Sequence, residues 1–326
     1  MKVVFFNKLN RLWLENIEKL RVGFNNVSFV TDRDRLDHEL EDADALVGGE
    51  WSREALGLAK RLNIIFVPYT GINGLPLDLI RERGIRVSNI HANAAFVAER
   101  AMAMVLCSYG KISAYHEDLK RGKWHGFWAK AHVKDTWHSI QGRSCAVIGV
   151  GAIGRELAKL LKAFNCRVIG VKKRPVEKTP DPFDHLTCDL TRAIGESELV
   201  FITLPLTPET RNLISEDILL KMKGKFLVNV GRGPVVSEKG LYRALKEGIL
   251  KGAAIDVWYT YPEKGTARGN PSRYPIHELP NVMLSPHLAG FTPESSVLSI
   301  AHTLENIRAY LETGRAKSEV DPRLLY

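Results

Sequence analysis

The run Ala146-Val147-Ile148-Gly149-Val150-Gly151-Ala152-Ile153-Gly154 restricts the fold of this chain more than any other stretch. A short apolar segment ends in glycines spaced G-x-G-x-x-G. Leu157, Leu160, Leu161 and Phe164 then recur at helical spacing. A second apolar run, Arg167-Val168-Ile169-Gly170-Val171, follows. Strand, glycine turn, helix and strand within about thirty residues form the context that the dinucleotide-binding fingerprint requires. Gly149 is expected to allow a tight turn, Gly151 to let the backbone approach a pyrophosphate, and Gly154 to let helix and strand pack closely. The start of the helix then offers unpaired N–H groups and a positive dipole end to phosphates.

The rest of the chain must accommodate that unit. Its 326 residues leave room for two domains. The composition, 45% hydrophobic and 25% charged, is that of a globular protein. The net charge of +9 does not point to nucleic acid, because basic and acidic residues are interleaved and no run of five like charges occurs. No apolar run is long enough to span a bilayer, so no membrane association is expected. Met1-Lys2-Val3 leads straight into a strand-like run, so a cytoplasmic location without a signal peptide is expected. Cys107, Cys145, Cys166 and Cys188 form no C-x-x-C pair; Cys145 and Cys166 flank apolar runs and read as buried thiols.

Strand and helix patterns alternate from the start. Strands are expected at Lys2–Phe6, Val27–Val30, Ala45–Val47, Ile64–Val67 and Arg86–Ser88. Helices are expected at Leu12–Leu20, Leu36–Leu40, Arg53–Arg61 and Leu77–Arg83. This alternation predicts an open α/β sheet. Ala94 to Tyr115 reads as one long apolar helix, buried in the fold or in a subunit interface. Lys120 to Ile140 differs, carrying Trp124, Trp128 and Trp137 with His125, His132 and His138. Its aromatics suggest an arm, around residues 115–140, packing on a second copy in a homodimer. The histidine spacing matches no metal-ligand template, so no metal is expected. Strands then recur at Leu199–Thr203, Phe226–Val230, Ala253–Ile255 and Val282–Leu284, and helices at Glu216–Met222, Leu241–Glu247 and Pro293–Thr313. The expected fold class is α/β: a Rossmann, doubly wound parallel-sheet domain over residues 98–290, and a flavodoxin-like α/β substrate domain from residues 1–97 and 291–326.

Ligands of open parallel sheets sit beyond the carboxyl ends of the strands. After Val230 stands Gly231-Arg232-Gly233; after Ile255 stand Asp256 and Val257; after Leu284 stands Ser285-Pro286-His287-Leu288-Ala289-Gly290. An arginine, an aspartate and a histidine therefore follow strands of the domain that carries the glycine turn.

With the glycine turn, the motifs Leu204-Pro205-Leu206-Thr207-Pro208-Glu209-Thr210, Asn229-Val230-Gly231-Arg232-Gly233, Asp256-Val257-Trp258 and Ser285-Pro286-His287 resemble the signatures of the D-isomer-specific 2-hydroxyacid dehydrogenases. Thr70-Gly71-Ile72-Asn73-Gly74-Leu75-Pro76 and Val97-Ala98-Glu99 stand where that family has its substrate loop and inter-domain helix. The resemblance covers nearly the whole chain. It implies hydride transfer between a nicotinamide cofactor and a small 2-oxo acid of glyoxylate or hydroxypyruvate type. Arg232 would clamp the carboxylate and carbonyl, and His287 would deliver the proton. Backbone N–H groups of Thr70 and Gly71 would hold the carboxylate. Glu50 and Trp51, after a strand of the first domain, would line the substrate pocket, where the charge of Glu50 would disfavour a second carboxylate. Cofactor contacts would come from Gly149, Gly151, Ala152, Ile153, Gly154, Lys172, Lys173, Arg174, Leu204, Pro205, Thr210, Val230, Gly231, Asp256 and Gly290, with Asp256 bonding the nicotinamide amide.

Two positions depart from that pattern. The family's catalytic glutamate lies five residues beyond the aspartate and just before a proline; here that residue is Tyr261, before Pro262, and Glu263 is two residues further on. A phenol adds no charge near neutral pH, so His287 is expected to titrate lower than with a carboxylate beside it. Second, NAD-specific members place an acid at the end of the second strand of the nucleotide domain. Here that place holds Lys172, followed by Lys173 and Arg174, which favours the 2′-phosphate of NADP over NAD. Two other readings stay open: a formate-dehydrogenase-like enzyme, because those relatives also lack the glutamate, and a nucleotide-sensing or scaffold protein with little turnover.

Overall fold

The computed structural model describes residues 1–6, 9–32, 36–175, 179–263 and 265–321. In chain order the first elements are β1 (Lys2–Phe5), α1 (Arg11–Gly23), β2 (Ser28–Val30), α2 (Leu36–Leu40), β3 (Ala45–Val47), α3 (Arg53–Leu58), β4 (Ile64–Phe66), α4 (Leu77–Glu82) and β5 (Arg86–Ser88). Next come α5 (Ala94–Tyr109), α6 (Ile112–Lys120), β6 (Ser144–Ile148), α7 (Ala152–Ala163), β7 (Arg167–Val171), β8 (His185–Thr187), α8 (Leu190–Gly195) and β9 (Leu199–Ile202). The chain ends with α9 (Glu216–Leu220), β10 (Phe226–Asn229), α10 (Glu238–Lys246), β11 (Gly252–Ile255), β12 (Val282–Leu284) and α11 (Pro293–Thr313). It forms two units: residues 1–93 with 291–326, and residues 94–290. The division falls where α5 begins, a few residues before the boundary read from the sequence.

Unit 1 is a parallel sheet in the order β2-β1-β3-β4-β5. This is the flavodoxin-like order, with its switch between β1 and β3. Ile64, Ile65 and Phe66 of β4 are all at most 1% exposed, as a parallel strand covered on both faces requires. Val3, Phe5, Val47, Ile64 and Phe66 face Ile17 and Leu20 of α1 and Ile300, Leu304 and Ile307 of α11. Val4, Leu46, Ile65 and Val87 face the opposite layer with Leu56 and Ile80. A capping box between Thr292 and Ser295 starts α11, and Gly314, at φ +76°, ends it.

Unit 2 is a seven-stranded parallel sheet, β12-β11-β10-β9-β6-β7-β8, which is the Rossmann order extended by one strand. One face packs Val147, Val168, Phe201 and Val228 against α5 and α7. The other packs Ile148, Ile169, Val200, Leu227 and Ile255 against α8, α9 and α10. Leu157, Ala158 and Leu161 give α7 one buried face. Each large side chain so buried contributes about 1.5–3 kcal/mol. Cys145 and Cys166 are fully buried free thiols, as expected.

The structure corrects the helix read over Ala94–Tyr115. It breaks at Gly110 and Lys111, the latter at φ +54°, into α5 and α6. Only α5 is buried; α6 has no buried residue. Two elements were not legible in the pattern. β8 is a three-residue, partly exposed edge strand, and α8 spans six residues. Neither carries a continuous apolar run: β8 is His185-Leu186-Thr187, and α8 buries only Ala193 and Ile194.

Candidate active site

The glycine turn forms as its spacing demands. Gly149 sits at φ +113°, and a Cβ there would lie 2.7 Å from Thr203 Oγ1. A Cβ on Gly154 would lie 2.0 Å from the carbonyl oxygen of Gly149, so this glycine sets the approach of α7 to β6. Gly151, the N-cap of α7, differs: a Cβ there would meet nothing within 4 Å. The first backbone bond of the helix is donated by Arg155 to Gly151, so the N–H groups of Ala152, Ile153 and Gly154 have no acceptor among the described residues. Unpaired donors, a dipole end and open space above Gly151 fit a pyrophosphate.

Beyond β7, the backbone N–H of Lys172 donates to Thr187, and its ammonium meets no acceptor among the described residues. Lys173 pairs with Glu209 at 2.7 Å, and Arg174 is exposed. The Lys173 pair is solvated on both sides and so is readily exchanged. Leu204 and Pro205 are half-buried beside the turn, Leu204 Cδ2 lying 3.2 Å from a Cβ on Gly149. Thr210 Oγ1 donates to the Pro205 carbonyl at 2.7 Å and accepts from the Thr207 N–H at 2.8 Å. Its hydroxyl therefore holds the loop together rather than facing out as a cofactor contact. Gly231 packs on the same loop, since a Cβ would lie 2.6 Å from the Leu204 carbonyl oxygen.

Arg232 is projected by a turn that Asn229 clamps from both sides. The buried Asn229 side chain accepts from the Gly231 N–H at 3.1 Å and donates to the Arg232 carbonyl at 3.1 Å. Val230, in the same turn, donates its N–H to Ile202. Arg232 is extended and half-buried, its Nη1 donating to the Gly231 carbonyl at 2.7 Å. Desolvation lowers its pKa, and the neighbouring Tyr261 opposes that fall.

His287 is reached through Asp256. The Asp256 carboxylate, 1% exposed, accepts from Ser285 Oγ at 2.5 Å and from the N–H groups of Leu288 and Ala289 at 3.1 Å. Three bonds to one loop leave about one acceptor position for a cofactor amide. Trp258 Nε1 donates to the Ser285 carbonyl at 2.8 Å, and Arg100 Nη2 donates to Ser285 Oγ at 3.2 Å. This scaffold holds His287 at φ +58°, a left-handed backbone that L-residues with side chains adopt rarely. Gly290, half-buried, closes the loop.

Tyr261 stands against His287, with ring centroids 5.4 Å apart and tilted by 44°. Its hydroxyl accepts from the Trp258 N–H at 3.1 Å. Glu263 is exposed, with its carbonyl capping Thr266, so the phenol and not this carboxylate faces the histidine. Burial raises the Tyr261 pKa, so the ring stays a neutral phenol. The His287 ring is open to solvent on one side and crowded by protein on the other. That partial desolvation is the main cause of a lowered pKa; Arg232 adds to it and Asp256 opposes it.

In unit 1 the loops after β3, β4 and β5 meet through glycines. A Cβ on Gly49 would lie 2.1 Å from the Tyr69 hydroxyl, and one on Gly74 would lie 2.7 Å from the Gly49 carbonyl oxygen. Thr70 Oγ1 lies 3.1 Å from both the Ile90 carbonyl and Asn93 Oδ1, and Asn89 Nδ2 donates to the Thr70 carbonyl at 2.7 Å. The N–H groups of Thr70 and Gly71 find no acceptor among the described residues. Glu50 is exposed, and burial followed by its charge raises the pKa of Tyr69. Trp51 is a correction. It is 1% exposed, packs on Phe6 with centroids 4.7 Å apart, and belongs to the unit core rather than to a pocket wall. A large apolar side chain beside a two-sided sheet is buried by the sheet's own packing.

The model of the D-isomer specific 2-hydroxyacid dehydrogenase NAD-binding domain matches residues 102–289. The chain belongs to that family. The chain is 30% identical over 88% of its length to the glyoxylate/hydroxypyruvate reductase B of Yersinia enterocolitica, covering 86% of it. It is also 30% identical, over 92% of its length, to the D-3-phosphoglycerate dehydrogenase of Methanocaldococcus jannaschii, but spans only 56% of that protein. A solved structure from Pyrococcus horikoshii OT3 superposes with a TM-score of 0.81 at 26% identity, over 99% of this chain and 96% of that one. An NADPH-dependent glyoxylate/hydroxypyruvate reductase from Sinorhizobium meliloti shares the fold, with a TM-score of 0.77 at 22% identity over 98% of both chains. As a family member, the chain is an NAD(P)-dependent oxidoreductase of 2-hydroxy acids. Among the functional residues, Asn229, Ser285 and Arg100 were not picked out from the sequence. Asn229 and Ser285 stand in motifs that were recognised, but a supporting role leaves no chemical signature. Arg100 lies far away in the chain.

Proposed function

We propose that the chain reduces a small 2-oxo acid, of glyoxylate or hydroxypyruvate type, at the expense of NADPH. One observation carries this reading: Arg232 and His287 lie beyond strands of the sheet that bears the glycine turn, close enough that the Arg232 charge helps to lower the pKa of His287. The reactive part of a nicotinamide cofactor supplies a hydride when bound. The residues around it do the remaining work. Arg232 presents a planar donor fork that suits a carboxylate beside a carbonyl. Imidazolium at His287 gives the carbonyl oxygen its proton, and the neutral ring takes it back in oxidation. Tyr261 fixes the plane of the ring without adding charge. Asp256 positions the histidine loop. In unit 1, the unpaired N–H groups of Thr70 and Gly71 suit a carboxylate by the same chemistry, and Glu50 in the adjoining loop suits a substrate lacking a second one. Lys172, with Lys173 and Arg174 behind it, supports a 2′-phosphate and thus NADP.

The test is steady-state reduction of a panel of 2-oxo acids with each cofactor. NADPH is expected to give the higher kcat/KM. Lys172→Asp should lower the NADPH value by about tenfold or more, because a charge-assisted phosphate contact contributes about 1.5–3 kcal/mol. A preference for NADH in the wild type would overturn the cofactor assignment. Tight NADPH binding without turnover on any acid, or turnover on formate alone, would overturn the substrate assignment. A homodimer through the aromatic arm around residues 115–140 is part of the same proposal.

A further inference from the structure

The edge of the seven-stranded sheet opposite the glycine turn carries a second cluster that the reaction does not use. The residues just before the strands lie side by side there: Arg143 before β6, Glu198 before β9, Lys225 before β10 and Lys251 before β11, linked by backbone bonds from Glu198 to Ser144, Phe226 to Glu198 and Lys251 to Lys225. Arg143 and Lys251 converge on one ring, with the guanidinium carbon 5.4 Å and the ammonium 4.7 Å from the Tyr109 centroid. His138 lies on the same ring, centroids 5.5 Å apart. Lys111 adds a further cation: like Lys251 and Arg143, it lowers the pKa of His138, although desolvation is the larger cause.

The donors here are incompletely used. Arg143 spends Nε on the Ser139 carbonyl and Nη1 on Glu198. Its Nη2, the Lys251 ammonium and the Tyr109 hydroxyl have no acceptor among the described residues, and Tyr109 is only 7% exposed. Lys225 is turned away onto the carbonyls of Gly195 and Ser197. Glu198 is the one acid that acts on both Tyr109 and Lys251. Arg143 and Lys251 against Glu198 leave an excess of positive charge beside a nearly buried phenol, and like charges held this close repel.

We propose that this cluster is a binding site for a small oxyanion of phosphate type, held by Arg143, Lys251 and the Tyr109 hydroxyl. The anion offsets the repulsion, and its binding is linked to the protonation of His138: it offsets the cations that add to desolvation in lowering the His138 pKa, so it raises that pKa and binds more tightly as pH falls.

Inorganic phosphate is the probe. The His138 ring is followed by NMR across pH in the full chain, in chloride and in phosphate at equal ionic strength, with His138→Gln identifying its signals. A saturable rise in the His138 pKa is expected, with half-saturation below about 1 mM. Lys251→Gln should weaken binding about tenfold. Lys172→Gln should leave it unchanged, which separates this site from the nucleotide edge. His138→Gln should keep binding at alkaline pH and lose its strengthening on acidification. An unmoved His138 pKa, or a shift that survives Lys251→Gln at full strength, would overturn the proposal, the first meaning at most an adventitious ion elsewhere.

Discussion

Tyr261 stands against His287 where the family resemblance leads to the expectation of a carboxylate, and the consequence can be read in charge. A carboxylate there would favour imidazolium. The phenol does not, while partial desolvation and Arg232 both disfavour it. Carbonyl reduction needs the protonated ring, so its rate should fall as pH rises through a value below the ordinary histidine pKa of 6.5. Tyr261→Glu should move the limb of the kcat/KM profile to higher pH by about one unit or more. Tyr261→Phe, which removes only the hydroxyl that accepts from Trp258, should leave it in place. Identical profiles for wild type and Tyr261→Glu would refute the argument. Arg232→Gln should cost roughly a hundredfold to a thousandfold in kcat/KM with the fold intact. At this scale the places of Arg232 and His287 beyond strand ends were legible, because each follows an apolar strand run. Trp51 was misread for the converse reason: an aromatic side chain after a strand serves a core as readily as a pocket, and only packing decides.

The elements that carry these residues are held by buried polar anchors as much as by apolar layers. The loop from Tyr259 to Tyr274, which contains Tyr261, is clipped at its base by the N–H groups of Tyr259 and Thr260 donating to the Pro271 carbonyl. Glu238, at the start of α10 and 8% exposed, ties down its far end. It accepts from Ser272 Oγ at 3.0 Å, from the Arg273 N–H at 2.8 Å and from the Arg273 guanidinium at 2.8 Å. Burial would raise the Glu238 pKa, but these donors together outweigh it and the net shift is downward. Glu238→Ala should therefore destabilise unit 2 by about 1–3 kcal/mol and loosen the loop under Tyr261. A carboxylate whose pKa is lower folded than unfolded stabilises above its unfolded value of 4.5 and loses that effect as pH falls through the folded one. The gap in Tm between wild type and variant should thus be widest near neutrality and shrink below about pH 4.5; a gap independent of pH would exclude an ionic anchor. None of this was legible in the sequence. Glu238 and Arg273 are thirty-five residues apart, and no period links a helix start to a loop. The two sheets were legible, since continuous apolar strands and helix faces repeat along the chain, whereas β8 and α8 carry no continuous apolar run.

At the scale of the whole molecule, the segment between α6 and β6 leaves an apolar surface that a lone chain would not be expected to keep in water. Trp124, Phe127, Trp128 and Trp137 are 59%, 87%, 76% and 57% exposed, Val133 is 82% exposed, and Leu119 at the end of α6 adds to the patch at 51%. The segment is nevertheless ordered by its own contacts: His125 bonds Asp118 at 2.7 Å and stacks on Tyr115 at 4.5 Å, and two 3-10 turns shape Gly126–Ala129 and Val133–Asp135. Lys123, His125 and Arg121 hold Asp118 well below the usual carboxylate range, so Asp118 stays ionised across the neutral range. An aromatic side chain can bury about 150–250 Å². Four of them approach the roughly 800 Å² per partner of a stable interface, and a two-fold pair of such arms satisfies itself. The wild type is therefore expected to sediment at twice 36.5 kDa. Trp128→Asp with Phe127→Asp places charge on the two most exposed rings of this segment, so it should shift the equilibrium towards 36.5 kDa without unfolding either sheet. Sedimentation velocity with far-UV circular dichroism checks both halves. A monomeric wild type, or a variant that stays dimeric at micromolar concentration, would show that these rings serve something other than a second copy of the chain.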